Sequence, residues 1–370
     1  MNLRVPGPTP LPPEVLQAEA KPMINHRSKD FAQIQNRVVA RLKESFQTAN
    51  DLLLLTGSGT GAMEAAVVNT LSPGDRVLAV SIGNFGDRFA DIAATFGAEV
   101  VRLTFGPGEH ADPDAVRTAL AQDPTLTAVL VTHNETSTGV TNPLEDIAGV
   151  VREFDKLLIV DGISSVGSIE IKTDAWGLDV VVSGSQKGWM APPGLSMITM
   201  SERAWAAYRQ AQMPRFYWDV GKAKKSLERG ETPWTPAVSV VYALDAGLEL
   251  LSQEGFANVY ARHARLAAMT RQGIKDLGLK LVAQEERYAS NTVTAVWAPE
   301  GIEERAIRST LRQEFDIELA GGQGELTGKI FRIGHLGYVS EADLQAVLDA
   351  LRVVLPRVGF SGAGAAGARG

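Results

Sequence analysis

The sequence predicts an α/β fold with a mainly parallel central sheet covered by helices on both faces, followed by a smaller C-terminal α+β domain. Two observations carry this. Through the first two-thirds of the chain, short apolar runs alternate with helical patterns of 8–12 residues, the mark of βαβ units. After about residue 230 the pattern changes to two amphipathic helices and then to strand-like runs flanking single helices.

The first run, Leu52–Leu55, enters Thr56-Gly57-Ser58-Gly59-Thr60-Gly61 and a helix over Ala62–Leu71. A strand over 76–81 leaves the turn Pro73-Gly74-Asp75. The helix Asp87–Phe96 stops at Gly97, a residue suited to the left-handed position after a helix. Further strands are expected at 99–103, 127–132, 157–161 and 178–183. Asn142-Pro143-Leu144-Glu145 reads as an N-cap, a proline at the first helical position and an acid two residues later. Helices are expected at 237–253 and 256–276, broken at Glu254-Gly255. Strands at 291–297 and 329–333 flank a helix near 302–314, and a last helix covers 341–353. The expected division is an N-terminal arm at 1–18, a large domain at 19–254, a small domain at 255–358 and a disordered tail at 359–370.

Composition excludes several classes. The net charge of −7 is spread along the chain, with no basic stripe for a nucleic acid. There are no cysteines, hence no disulfides and no cysteine nucleophile, which fits a reducing cytoplasm. No run approaches the roughly 18 apolar residues of a membrane span, and the proline-rich start lacks the apolar centre of a signal peptide. No metal site is expected.

Three constellations at predicted strand ends carry chemistry. Thr56–Gly61 places glycines between a strand and a helix N-terminus, where free N–H groups and the helix dipole favour an anion. It also matches the dinucleotide fingerprint at Gly57-x-Gly59-x-x-Ala62. However, the second strand ends Val80-Ser81-Ile82-Gly83 without a ribose-binding acid, and no phosphate-loop lysine is present. A phosphate seat and a plain tight turn remain the two readings. Asp161 ends the run Leu157–Val160 at the carboxyl edge of the sheet, where ligands bind; it is either a partner for a pyridine nitrogen or a capping aspartate. Lys187 follows Val180-Val181-Val182-Ser183-Gly184-Ser185-Gln186, whose small residues leave room for a cofactor. Desolvation there would favour the neutral amine needed for a Schiff base, although a lone lysine after a strand is ordinarily solvated. Their shared position at strand ends favours the chemical reading of all three.

The chain resembles the class V aminotransferases, fold-type I pyridoxal-phosphate enzymes, and specifically the serine/alanine–glyoxylate aminotransferase group. The resemblance rests on Pro6-Gly7-Pro8, Asn25-His26-Arg27-Ser28, Gly57–Glu64, Gly83-Asn84-Phe85-Gly86, His133–Val140, Asp161–Gly167, Ser183–Lys187, Pro233-Trp234-Thr235-Pro236 and Arg332-Ile333-Gly334. It implies that Lys187 carries pyridoxal 5'-phosphate and that Asp161 keeps the pyridine nitrogen protonated. Phe85, where many relatives have tryptophan, would stack on the ring, and Thr136 would lie near its phenolic oxygen. Gly59, Thr60 and Gln186 would hold the phosphate, helped by Thr235 from a partner subunit, and Arg332 would clamp the substrate carboxylate. A homodimer with active sites between subunits, and an N-terminal arm crossing to the partner, are implied in the same way.

Two departures bear on this reading. Thr232 stands where some relatives carry a tyrosine, removing one expected phosphate contact. Asn25-His26-Arg27 replaces a glycine-serine-methionine of some alanine-using relatives, so the amino donor is open among serine, alanine, aspartate, phosphonate and ureido-type amines. Cysteine desulfuration is excluded by the absent nucleophile. A nicotinamide oxidoreductase is disfavoured by the missing ribose acid, and a cofactor-binding subunit of a larger complex is the remaining class.

Overall fold

Seven strands form the central sheet of the protein, a computed structural model that describes residues 1–360. Their spatial order is Asp51–Thr56, Leu195–Met200, Val180–Gly184, Leu157–Asp161, Ala128–Thr132, Arg76–Ser81 and Glu99–Thr104. The last five run parallel, while Leu195–Met200 is antiparallel to both its neighbours. The reason is chain length: the connection 185–194 is shorter than the dozen or so residues that a parallel crossover needs, so the strand turns straight back. The sheet is therefore mainly parallel, and its carboxyl edge gathers Thr56, Ser81, Thr132, Asp161 and Gly184.

Alternate side chains of these strands feed two apolar layers. Leu54, Leu78, Val129, Leu158 and Val181 pack with Val38, Leu42 and Phe46 of the helix Lys29–Phe46. Leu53, Val77, Leu130, Ile159 and Val182 pack with Ala62, Met63 and Val67 of the helix Gly59–Thr70. Burial on both faces explains why the strands read as continuous apolar runs. No helix among the described residues is long and apolar enough to cross a membrane.

A second sheet has the order Asn2–Arg4, Ile317–Gly321, Ile330–Gly334, Val293–Trp297. Its core joins Phe331 and Ile333 to Leu266, Leu311 and Leu344 of the helices Phe256–Asp276, Glu304–Phe315 and Glu341–Arg357. Gly255, at φ +82°, separates the first of these from the buried helix Val238–Glu254.

Four expectations change. Residues 1–18 are not a free arm: Asn2–Arg4 pair in parallel with Ile317–Leu319, and Asn2 donates to the Asp343 carbonyl at 2.8 Å. The helix Pro13–Glu19 buries Val15 and Ala18 against Val238–Glu254 of the same chain. Two such anchors tie the segment to the rest of its own chain. Asn142 is not an N-cap either. The helix begins at Leu144, and the Asn142 amide instead accepts from Ala111 N at 2.8 Å and donates to the Thr132 carbonyl at 2.8 Å. The helix expected at 87–96 covers Asn84–Thr95, and the one expected at Ala62–Leu71 starts at Gly59, because both glycine-rich turns already belong to the first helical turn. Finally, Gly359 and Phe360 close the last helix by donating to the carbonyls of Pro356 and Leu355. The rest of the expected tail, 361–370, lies outside the described residues.

Candidate active site

A cavity of about 280 Å³ opens at the carboxyl edge of the large sheet. Gly59, Thr60, Phe85, Thr136, Asp161, Gln186 and Lys187, seven of the residues singled out in the sequence, line it together. Strand ends and helix starts bring them there from five separate stretches of chain.

Lys187 sits in the turn that follows Val180–Gly184. Ser185 fixes this turn by donating from Oγ to the Pro192 carbonyl at 2.5 Å and accepting from Leu195 N at 3.2 Å. The Lys187 ammonium donates to the Pro6 carbonyl at 2.5 Å, so the N-terminal segment closes one side of the site. Gly7 allows this approach: at φ +129°, a Cβ there would lie 2.8 Å from Lys187 Cδ. Burial, and then the positive charge of Arg332, lower the lysine to about 8, against the pull of Asp161. Amine chemistry near neutral pH thus becomes accessible.

Asp161 is buried at the end of its strand and accepts from Ile163 N at 2.9 Å and from Thr132 Oγ1 at 3.2 Å. Burial pushes it up to about 6, and the nearby Glu135 adds to the rise. Such a carboxylate gains by facing a cation.

Glu135 is the main residue that sequence reasoning passed over. Fully buried, it accepts from Phe85 N at 3.0 Å and Gly86 N at 3.1 Å, and from Ser137 N and Oγ at 3.1 and 2.6 Å. It thereby caps the helix Asn84–Thr95 and fixes the backbone of Phe85. Burial raises its pKa, opposed by those four hydrogen bonds. The available signal was an acid just past a strand end among small polar residues.

Arg332 is buried on the small-domain strand Ile330–Gly334, outside the cavity wall. Its Nε donates to the Gly321 carbonyl at 2.8 Å, and Nη1 donates to the Thr136 carbonyl at 2.8 Å and to Gln323 at 3.3 Å. Nη2 forms no hydrogen bond among the described residues. Burial lowers the guanidinium to about 10. Thr235 is exposed on a loop and does not reach the cavity of its own chain. Thr232 turns its hydroxyl inward to the Trp234 carbonyl at 2.7 Å.

The cavity fits pyridoxal phosphate on its own evidence. Gln186 lines it with a buried Oε1 that has no partner. A Cβ at Gly59 would meet Ile163 Cδ1 at 2.7 Å, so the cradle admits no larger residue there without a shift. An acid with a raised pKa and a lysine with a lowered one share the space. This combination, on a doubly covered sheet with a small C-terminal domain, defines a fold-type I pyridoxal-phosphate enzyme.

The family follows from comparison. The chain belongs to the class V aminotransferases, whose model (Aminotransferase class-V) matches residues 1–346. It is 46% identical to the soluble hydrogenase small subunit of Synechococcus, over 99% of this chain and 97% of that protein. It is 38% identical to the serine–glyoxylate aminotransferase of Methylorubrum extorquens, over 93% of this chain and 88% of the relative. The L-aspartate–glyoxylate aminotransferase of Paracoccus denitrificans is 37% identical, over 96% of this chain and 91% of the relative. The crystal structure of an alanine–glyoxylate aminotransferase from Nostoc superposes with a TM-score of 0.91 at 36% identity, covering 95% of this chain and 94% of that one. The chain is a pyridoxal-phosphate-dependent aminotransferase.

Proposed function

We propose that the protein moves an amino group from a small amino acid, serine or alanine, to a small 2-oxo acid, glyoxylate. The observation that carries the reading is that Lys187, Asp161 and Thr136 line one small cavity, with Arg332 bonded to the Thr136 carbonyl just behind its wall. Relatives named for serine, aspartate and alanine all share glyoxylate as the second substrate.

Pyridoxal phosphate, when bound, supplies an electron sink for the carbon that loses its proton. Each remaining task falls to a side chain. Lys187 holds the cofactor, and its freed amine takes the proton from the substrate α-carbon and returns it at the neighbouring position. Asp161 keeps a proton on the pyridine nitrogen. Phe85 and Ile163 confine the ring, and Gly59, Thr60 and Gln186 receive the phosphate. Thr136 faces the phenolic side. The free edge of Arg332 binds the substrate carboxylate once Gln323 gives way.

Thr235 completes the phosphate seat of the other subunit in a homodimer. Its loop lies beside Phe216 and Tyr217, 70% and 44% exposed, which supports a covered surface there. The protein works in the cytoplasm.

The test is spectral. The purified protein is mixed in turn with serine, alanine, aspartate and aminoethylphosphonate, and the visible band is followed. Bleaching by serine or alanine, restored by glyoxylate, is expected. Bleaching only by another donor overturns the substrate assignment. A subunit role in a larger complex is the second reading, favoured by the hydrogenase-named relative. With no cysteine, the chain has no thiolate for an iron–sulfur cluster. Copurification with a stable partner, with no donor able to bleach the band, would support that role instead.

A further inference from the structure

We infer that Arg88 supplies the cation that recognises the phosphate monoester of the cofactor, a role that rests on the pyridoxal-phosphate reading of this site. Arg88 opens the second turn of the helix Asn84–Thr95, three residues after Phe85, and lines the cavity. Its guanidinium stands 4.7 Å from the Phe85 ring centre and donates from Nη1 to Thr60 Oγ1 at 3.4 Å. It therefore bridges the ring wall of the cavity and the N-terminus of the helix Gly59–Thr70.

The nearby acids are committed elsewhere. Asp87 accepts from Ser81 Oγ at 2.8 Å and lies 3.7 Å from Arg102, and Glu64 accepts from Trp218 Nε1 at 2.8 Å. Glu135 is occupied by two backbone N–H groups and by Ser137. Among the described residues, no carboxylate lies within ion-pairing distance of Arg88. An unpaired arginine on a cavity wall that already holds Lys187, with Arg332 just behind it, adds like-charge repulsion, as its lowering effect on the lysine records. That arrangement is favourable only when an anion enters.

Position decides which anion. Arg332 stands behind Thr136 and meets the substrate carboxylate side of the site. Arg88 stands at Thr60, where the helix start and the glycine turn already favour a phosphate. Thr232 has turned its hydroxyl into its own loop, so Arg88 is the group at this end that can supply charge as well as a hydrogen bond.

The test compares two ligands that differ only in the phosphate. Cofactor-free protein is titrated with pyridoxal phosphate and with pyridoxal, following the visible band. Arg88→Gln is expected to weaken pyridoxal phosphate about 10- to 100-fold, the usual worth of a charged hydrogen bond, and to leave pyridoxal nearly unchanged. Arg88→Lys should recover part of the loss. Pyridoxal binding by the variant also reports that it has folded. Equal losses for both ligands, or none for either, would overturn the inference while the cofactor reading stands. If the wild-type protein binds neither ligand, the reading beneath it fails as well.

Discussion

Replacing Asp161 by Asn should stabilise the cofactor-free protein and disable the loaded one. In the native state burial lifts the carboxyl from 3.8 to about 6. Between those values the native chain holds a proton that the unfolded chain has released, so stability falls as pH rises through this window and the full penalty applies above it. At 1.36 kcal/mol per unit, the penalty is about 3 kcal/mol at pH 8 and about 1 kcal/mol at pH 4.5. Asn resembles the protonated acid: its oxygen can still accept from Ile163 N, and the Thr132 hydroxyl can turn to accept from its amide. Urea unfolding of the cofactor-free variant should therefore show a gain of about 3 kcal/mol at pH 8 that shrinks to about 1 kcal/mol at pH 4.5. Turnover should move the other way. A carboxylate about 3 Å from a pyridinium gains roughly 5 kcal/mol at an effective dielectric of about 20, so loss of the charge should cut kcat about 10³- to 10⁴-fold. A stability difference independent of pH, or a loss of kcat below tenfold, would refute this account of Asp161.

Three further outcomes are expected. Arg332→Lys removes the fork that bonds both Gly321 and Thr136, and should raise KM for the amino donor roughly tenfold or more in steady-state assays. Gly59→Ala places a methyl 2.7 Å from Ile163 Cδ1, and titration should show weakened cofactor binding with little change in unfolding. Gly334→Ala lies outside the cavity lining, yet its Cβ would stand 2.1 Å from the Val5 carbonyl and 2.9 Å from Pro6 N. Shifting that backbone by about 1 Å moves the Pro6 carbonyl off Lys187, and kcat/KM should fall by up to about 100-fold.

The legible parts of the fold and site were local in sequence. Arg76–Ser81 and Leu157–Asp161 stand where their apolar runs end, and the strand read at 178–183 covers Val180–Gly184. Their last residues necessarily face the ligand edge of a parallel sheet. Asp161 was visible because it ends such a run, and Lys187 because small residues lead from Val180–Val182 straight to it. What stayed hidden depends on distant pairing. Asn2–Arg4 is too short to signal a strand, and only Ile317–Leu319 makes it one. Leu195–Met200 is apolar, but its direction is set by the short turn holding Lys187. Asn142 had the right type and spacing for a cap, yet the buried N–H of Ala111 and carbonyl of Thr132 required its amide more. Glu135 looked like one letter of a motif until the backbone of Phe85 and Gly86 arrived from another strand end.

The small sheet links the two sides of the cavity. Its strand Ile317–Gly321 lies between Asn2–Arg4, which leads into the Pro6 carbonyl, and Ile330–Gly334, which carries Arg332. The group closing over Lys187 and the group proposed to hold the substrate carboxylate are therefore neighbours across one strand. Gly321 itself accepts from Arg332 Nε, so a shift of the guanidinium toward a carboxylate pulls on the strand that pairs with the N-terminal residues. The charge balance points the same way. Arg332 lowers the lysine by repulsion, and a carboxylate on Arg332 would cancel that effect. Substrate binding at Arg332 and base strength at Lys187 are thus coupled, and an anion at Arg88, which lowers the lysine in the same way, would act on it in the same direction.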